Sequence, residues 1–154
     1  VASVTVSAAD VSGDVRVRSF REPDRGAVIE LWQRCELTRP WNDPDRDIDR
    51  KLALDDGLLL VAEAPGGIVG TVMVGYEGHR GWANYLAVDP ERRGERVGSS
   101  LMAAAEERLR AVGCPKLNLQ VRRGNAGAVA FYEAIGFVED DVVSMGKRLI
   151  EDLA

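Results

Sequence analysis

Apolar residues along this chain change their spacing several times, and each change marks an element. Val15, Val17 and Ser19 alternate with Arg16 and Arg18, the period-two pattern of a half-buried first strand. Val28, Leu31, Trp32 and Cys35 then recur at helical spacing behind Pro23-Asp24, which predicts a helix ending near Glu36. The loop from Thr38 to Asp43 carries Pro40 and Trp41, and a short acidic helix is expected from about Asp45 to Leu54. Leu58 to Ala64 and Ile68 to Tyr76 are apolar, β-branched runs separated by Pro65-Gly66-Gly67, the composition of a tight hairpin. Trp82 to Val88 reads as a further strand. Val97, Leu101, Met102, Ala105, Leu109 and Val112 form one face of a helix closed by Gly113 and Pro115. Leu117, Leu119 and Val121 alternate as a fifth strand, and Ala126 to Ile135 is a short helix ended by Gly136. Val138 and Val142 to Leu149 predict two more strands around an Asp140-Asp141 turn.

Strands and helices mixed in this order indicate an α/β or α+β sheet. At 154 residues, 45% of them hydrophobic, the chain suits one domain, expected over residues 14–154, with residues 1–13 as an N-terminal arm. The longest apolar runs fall far short of the ~20 residues that span a bilayer, and Val1 to Gly13 lacks the basic and apolar regions of a signal peptide. A cytoplasmic protein without a membrane partner is expected. Cys35 and Cys114 lie far apart with no CxxC or nearby histidine, so reduced thiols and no metal site are expected.

A net charge of −5 argues against a nucleic-acid partner, which needs a basic face to neutralise phosphates. Local contrast matters more than the average. Arginines crowd at Arg92, Arg93 and Arg96 and again at Arg122 and Arg123, while acids crowd between Asp43 and Asp49. A basic pocket on an acidic protein suits a small polyanion. No P-loop, dinucleotide fingerprint, HExxH or GxSxG elbow occurs.

The segment from Leu86 to Ser99, LAVDPERRGERVGS, is the most informative. A strand runs through a basic, glycine-containing turn directly into a helix, whose first N–H groups then face whatever sits above the turn, an anion site reinforced by the helix dipole. Gly94 and Gly98 would allow close backbone approach, and Arg93 and Arg96 would add charge. The competing reading is a solvated basic loop. Arginines at a helix start oppose the dipole, which favours a bound anion.

With these residues the chain resembles the GCN5-related N-acetyltransferase (GNAT) superfamily over roughly Val15 to Leu149. Its [Q/R]-x-x-G-x-[G/A] motif falls on Arg93-Gly94-Glu95-Arg96-Val97-Gly98, behind Val88-Asp89-Pro90, with Arg96 standing where the family usually has a glycine. A second motif, N-x-x-A-x-x-F-Y-x-x-x-G-F, matches Asn125 to Phe137. The resemblance implies a mixed, mostly antiparallel central sheet of six to seven strands flanked by about four helices. It also implies acetyl-CoA as the cofactor: pyrophosphate on Arg93, Gly94, Glu95, Arg96, Val97, Gly98 and Ser99, pantetheine along Leu86, Ala87 and Val88, and further contacts from Asn125 and Tyr132. Asn125 can equally serve as a helix N-cap.

Tyr132 matches the tyrosine that in the family often donates a proton to the departing thiolate, and a phenol, protonated at neutral pH, suits that task. Packing for shape is the plainer alternative. The chain also resembles ribosomal-protein N-terminal acetyltransferases, yet Gln120 replaces the glutamate of their fifth strand in Leu119-Gln120-Val121-Arg122. The remaining base candidates are His79, Glu77, Glu63, or a water held by Asn84, Tyr85 or Gln120. In the superfamily the acceptor groove maps onto Trp41, Asn42, Asp43, Asn84 and Tyr85. Trp41 and Asp43 could hold a cationic amine, or could pack and cap a helix.

The stretches Arg39 to Pro44, Gly78 to Gly81 and Gly146 to Asp152 resemble the YpeA-type bacterial branch. Two functions are therefore expected in competition. One is an acetyl-CoA-dependent N-acetyltransferase acting on a primary amine of a small molecule or peptide by direct attack in a ternary complex. The other is a non-catalytic acyl-CoA-binding regulatory domain. The late strands, Val138 to Leu149, leave room for a homodimer.

Overall fold

The computed structural model describes residues 13–152, so nearly all of the expected arm lies outside the described residues. The elements run β1 (Arg16–Ser19), α1 (Arg25–Arg34), α2 (Pro44–Ala53), β2 (Leu59–Ala64), β3 (Gly67–Tyr76), β4 (Gly81–Val88), α3 (Val97–Ala111), β5 (Leu117–Leu119) and α4 (Ala126–Ala134). Short 3₁₀ turns at Glu22–Asp24 and Pro90–Arg92 precede α1 and α3. One sheet in the order β1-β2-β3-β4-β5 is antiparallel except for the parallel β4–β5 pair, whose crossover is α3.

Helix starts are fixed by short acids, as their spacing predicts. Asp24 accepts the Arg21 backbone N–H at 2.8 Å and both Arg18 guanidinium nitrogens at 2.8 and 2.9 Å. Asp43 accepts the Asp45 N–H at 3.0 Å, with Pro44 at the first helical position. Asp45 and Asp47 occupy the first turn of α2 and Arg50 and Lys51 its last, the order the helix dipole favours.

Strand alternation sorts the core into two layers. Leu58, Leu60, Ala62 and Ala64 pack with Val97, Leu101, Met102, Ala105 and Leu109 on the α3 face. Leu59 and Val61 pack with Val28, Leu31, Trp32 and Ile48 on the α1 and α2 face. Gly70 makes the α3 contact possible: a Cβ there would lie 2.8 Å from Leu101 and 2.9 Å from Val97.

The sheet has five strands among the described residues, fewer than the six to seven expected, because the two late strands are absent. Residues 138–150 pair with no strand and are exposed throughout, Val143 at 87% and Met145 at 90%. The pattern of Val142 to Leu149 has strand character, but a strand also needs a neighbour to receive its N–H and C=O groups. Here β5 is only three residues long, and the segment is held by side chains instead: Lys116 to Asp140 at 2.8 Å, Gln120 to Ser144, and Arg148 to Asn42 at 2.7 Å. Among the described residues no helix is long and apolar enough to cross a membrane.

Candidate functional site

The site is organised by two interruptions of β4. Its pairing with β5 covers only Gly81 to Ala83 against Leu117 to Leu119, so from Asn84 to Val88 the flank turned towards β5 has no strand partner among the described residues. On the other flank the β3 register shifts between Thr71↔Ala87 and Met73↔Asn84, leaving Tyr85 and Leu86 opposite Val72 alone. Tyr85 sits in this bulge with φ of +51°, a left-handed conformation that typically costs a non-glycine residue about 1 kcal/mol or more. Its ring stacks on Trp32, centroids 3.8 Å apart and planes 12° from parallel.

Beyond β4, Asp89 accepts the Glu91 N–H at 3.0 Å and pairs with Arg34 at 3.1 Å, which fixes the turn's entry. Arg92 is occupied by Glu95 at 2.7 Å. Arg93 and Arg96 make no ion pair among the described residues. No side chain caps α3, and Ser100 is the first residue of the helix whose N–H reaches back, to the Arg96 carbonyl at 3.0 Å. The N–H groups of Val97, Gly98 and Ser99 are therefore left without a helical partner, and the same turn carries the exposed Arg93 and Arg96, a combination that fits a diphosphate.

Gly94 (φ +83°) and Arg96 (φ +63°) are both left-handed, which explains why a glycine suits the position Arg96 holds. Gly98 also serves packing. A Cβ there would point inward, 3.3 Å from Phe131 and 3.4 Å from Val88, so its missing side chain lets α3 and α4 meet over the end of β4.

In α4, Asn125 is the N-cap, accepting the Ala128 N–H at 3.1 Å. Tyr132 is half-buried, edge-on to Phe131 and Phe137 at centroid distances of 5.1 and 5.5 Å. Its hydroxyl has no hydrogen-bond partner among the described residues, and burial pushes its pKa above the ordinary phenol value. It is a protonated donor without an acceptor among the described residues.

On the α2 side of β4 lies a cavity of about 380 Å³ lined by Asn42, Asp47, Arg50, Lys51, Leu54, Met73, Asn84 and Tyr85. The Tyr85 hydroxyl donates to Asp47 at 2.6 Å, and burial followed by that carboxylate drives the phenol's pKa far up. Arg50 spans Asp47 at 3.5 Å and Asp152 at 2.6 Å, holding the buried Asp152 carboxyl down at about 2. Lys51 donates to the Val74 carbonyl at 2.5 Å and to Asp56 at 2.7 Å, tying the last turn of α2 to the sheet.

Of the acceptor residues read from sequence, Asn42, Asn84 and Tyr85 line this cavity. Trp41 is 49% exposed beside it, and Asp43 is committed as a helix cap. Of the base candidates, Asn84 and Tyr85, the residues that would hold a water, are in this lining, whereas His79, Glu77, Glu63 and Gln120 are not. Glu77 accepts the His79 and Arg80 N–H groups in the β3–β4 turn, which lowers its pKa, and Glu63 is held low by Arg18 at 2.6 Å. Sequence reading missed Asp47, although Asp47, Arg50, Lys51 and Leu54 follow the i, i+3, i+4, i+7 spacing of one helix face. Among the described residues no group of three or more His, Cys, Asp or Glu side chains could hold a metal ion.

Comparison with known proteins gives this geometry a context. The family model described as acetyltransferase (GNAT) family matches residues 26–137. The chain is 51% identical over 138 residues to acetyltransferase ECA0875 of Pectobacterium atrosepticum, covering 90% of this chain and 98% of that protein. Among solved structures it is similar to Ard1 of Thermoplasma volcanium, with 26% identity, TM-score 0.70, and 81% and 83% of the two chains covered. It is also similar to the ribosomal-protein-S18-alanine N-acetyltransferase of Escherichia coli, with 25% identity, TM-score 0.66, and coverage of 82% and 79%.

Proposed function

Because the chain belongs to the GNAT acetyltransferase family, we propose that it transfers the acetyl group of acetyl-CoA to a primary amine held in the cavity beneath β4. The observation that carries this reading is the uncapped start of α3 between Arg93 and Arg96, adjoining the open flank of β4. Backbone N–H groups of Val97, Gly98 and Ser99, with the two guanidiniums, hold the donor's diphosphate. Leu86, Ala87 and Val88 offer the free strand edge to its amide-bearing arm, which leads the thioester from the turn towards Asn84 and Tyr85.

The neutral amine attacks the thioester carbonyl carbon, a C–N bond forms, the C–S bond breaks, and the thiolate takes the Tyr132 hydroxyl proton. The amine's surplus proton leaves through Asp47 or a water beside it. Asp47 also selects for basic acceptors, since its carboxylate is in the cavity lining, the Arg50 beside it is shared with Asp152, and Lys51 is paired with Asp56. Small amines and peptide amines are both in scope, in a ternary complex. A cytoplasmic location belongs to the same reading.

Acetyl-CoA consumption against a panel of polyamines, amino acids and peptides tests this directly. Turnover with at least one amine, lost on adding CoA in excess, is the expected result. CoA binding without turnover on any acceptor would instead support a regulatory binding domain.

A homodimer is the second part of the reading, favoured by Val138, Val142, Val143, Met145, Leu149 and Ile150, all exposed on an unpaired segment. Such an apolar run beside the bare edge of β5 suits a second copy of the same chain. Light scattering should give twice the chain mass, falling to one with Val143→Asp and Met145→Asp together.

A further inference from the structure

Thr71 is the one polar residue with no exposed surface among the described residues, and the cavity chemistry so far leaves it unused. It lies on β3 beneath the β4 bulge. The indole Nε1–H of Trp32 donates to Thr71 Oγ1 at 2.8 Å, and Thr71 Oγ1 lies 2.8 Å from the Tyr85 carbonyl. The proton order is forced. An indole N–H can only donate, so the threonine oxygen accepts from Trp32 and its single proton must go to Tyr85. The stack of Tyr85 on Trp32 closes the circuit, so the same residue is gripped at its carbonyl and at its ring.

We propose that Thr71 and Trp32 are positioning residues for the acceptor: they hold Tyr85 in its left-handed bulge and, through its hydroxyl at 2.6 Å, set the Asp47 carboxylate that receives the amine. A strained backbone persists only where its surroundings over-determine it, and here two side chains from separate elements do so. The Trp32–Thr71 bond is buried and the Thr71–Tyr85 bond partly so, which limits competition from water. The inference rests on the reading of the cavity as the acceptor site.

Thr71→Val tests it, because the shape is kept while both bonds are lost. The expected result is an amine KM raised about tenfold, the effect of one misplaced charged contact, with CoA affinity by calorimetry within twofold of wild type. Thr71→Ser, which retains the hydroxyl, should restore the amine KM to within about threefold. Should Thr71→Val not fold, Trp32→Phe keeps the ring stack, removes the donor, and should move the amine KM in the same direction. A fall in kcat alone with amine KM unchanged, or an equal loss of CoA affinity, would reduce Thr71 to a structural residue and overturn the proposal. Asp47→Asn separates the two failures: if it raises amine KM and Thr71→Val does not, the positioning role is wrong. If neither moves it, the cavity is not the acceptor site and both fall.

Discussion

The two halves of the site are built by different means. On the proposed donor side, the turn from Asp89 to Ser99 offers backbone N–H groups and arginines, all within one short stretch of chain. On the acceptor side, the cavity gathers side chains from the α1–α2 loop, α2, β3 and β4 around a bulge held from Trp32 and Thr71. A backbone site tolerates many side chains and leaves a compact signature, whereas a side-chain site can change specificity one residue at a time.

Tyr132 is the proton donor in the proposed reaction, and its removal should have the largest effect. Tyr132→Phe is expected to lower kcat about 10²-fold or more, with CoA affinity from calorimetry unchanged. An unchanged kcat would remove it from the mechanism. Next, Asp47→Asn should raise the amine KM about tenfold or more while sparing CoA, a loss confined to the acceptor half. Reversing charge at Arg93 and Arg96 together should do the opposite. Arg93→Glu with Arg96→Glu is expected to weaken CoA binding about tenfold or more and to flatten its salt dependence, leaving the amine KM alone.

The smaller effects concern stability. Arg96→Gly relieves a left-handed arginine and should raise unfolding free energy by about 1 kcal/mol, measured in urea. Gly94→Ala, at φ +83°, should lower it by a similar amount.

Asp152 gives a pH signature. Its folded pKa of about 2 lies below the ordinary 3.8, so its pairing with Arg50 stabilises the protein fully above pH 4. That contribution is lost as pH falls from about 4 towards 2. Asp152→Asn should flatten the stability profile in that window, and an unaltered profile would remove the anchor.

Much of the fold was legible because its period is local. Val28, Leu31 and Trp32 announce α1, and Pro65-Gly66-Gly67 announces the β2–β3 hairpin. The late strands misled because the apolar content of Val142 to Leu149 carries no information about a hydrogen-bonding neighbour. The proposed donor residues are contiguous, since Arg93 to Ser99 sit together and a helix start follows a strand. The packing role of Gly98 could not be read from sequence, because only the tertiary structure brings Phe131 over it. Asp47 escaped notice among six aspartates, four between residues 43 and 49 and two at 55 and 56, where nothing local says which one faces β4. The left-handed Tyr85 could not be read at all, as it depends on a threonine and a tryptophan distant in sequence.

In the proposed complex the donor's phosphates sit on the open start of α3. Backbone amide chemical shifts of uniformly ¹⁵N-labelled protein, followed during titration with CoA, test it most directly. The largest saturable shifts are expected at Val97, Gly98 and Ser99, with smaller ones along Leu86 to Val88. Saturable binding that leaves those amides unmoved would contradict it.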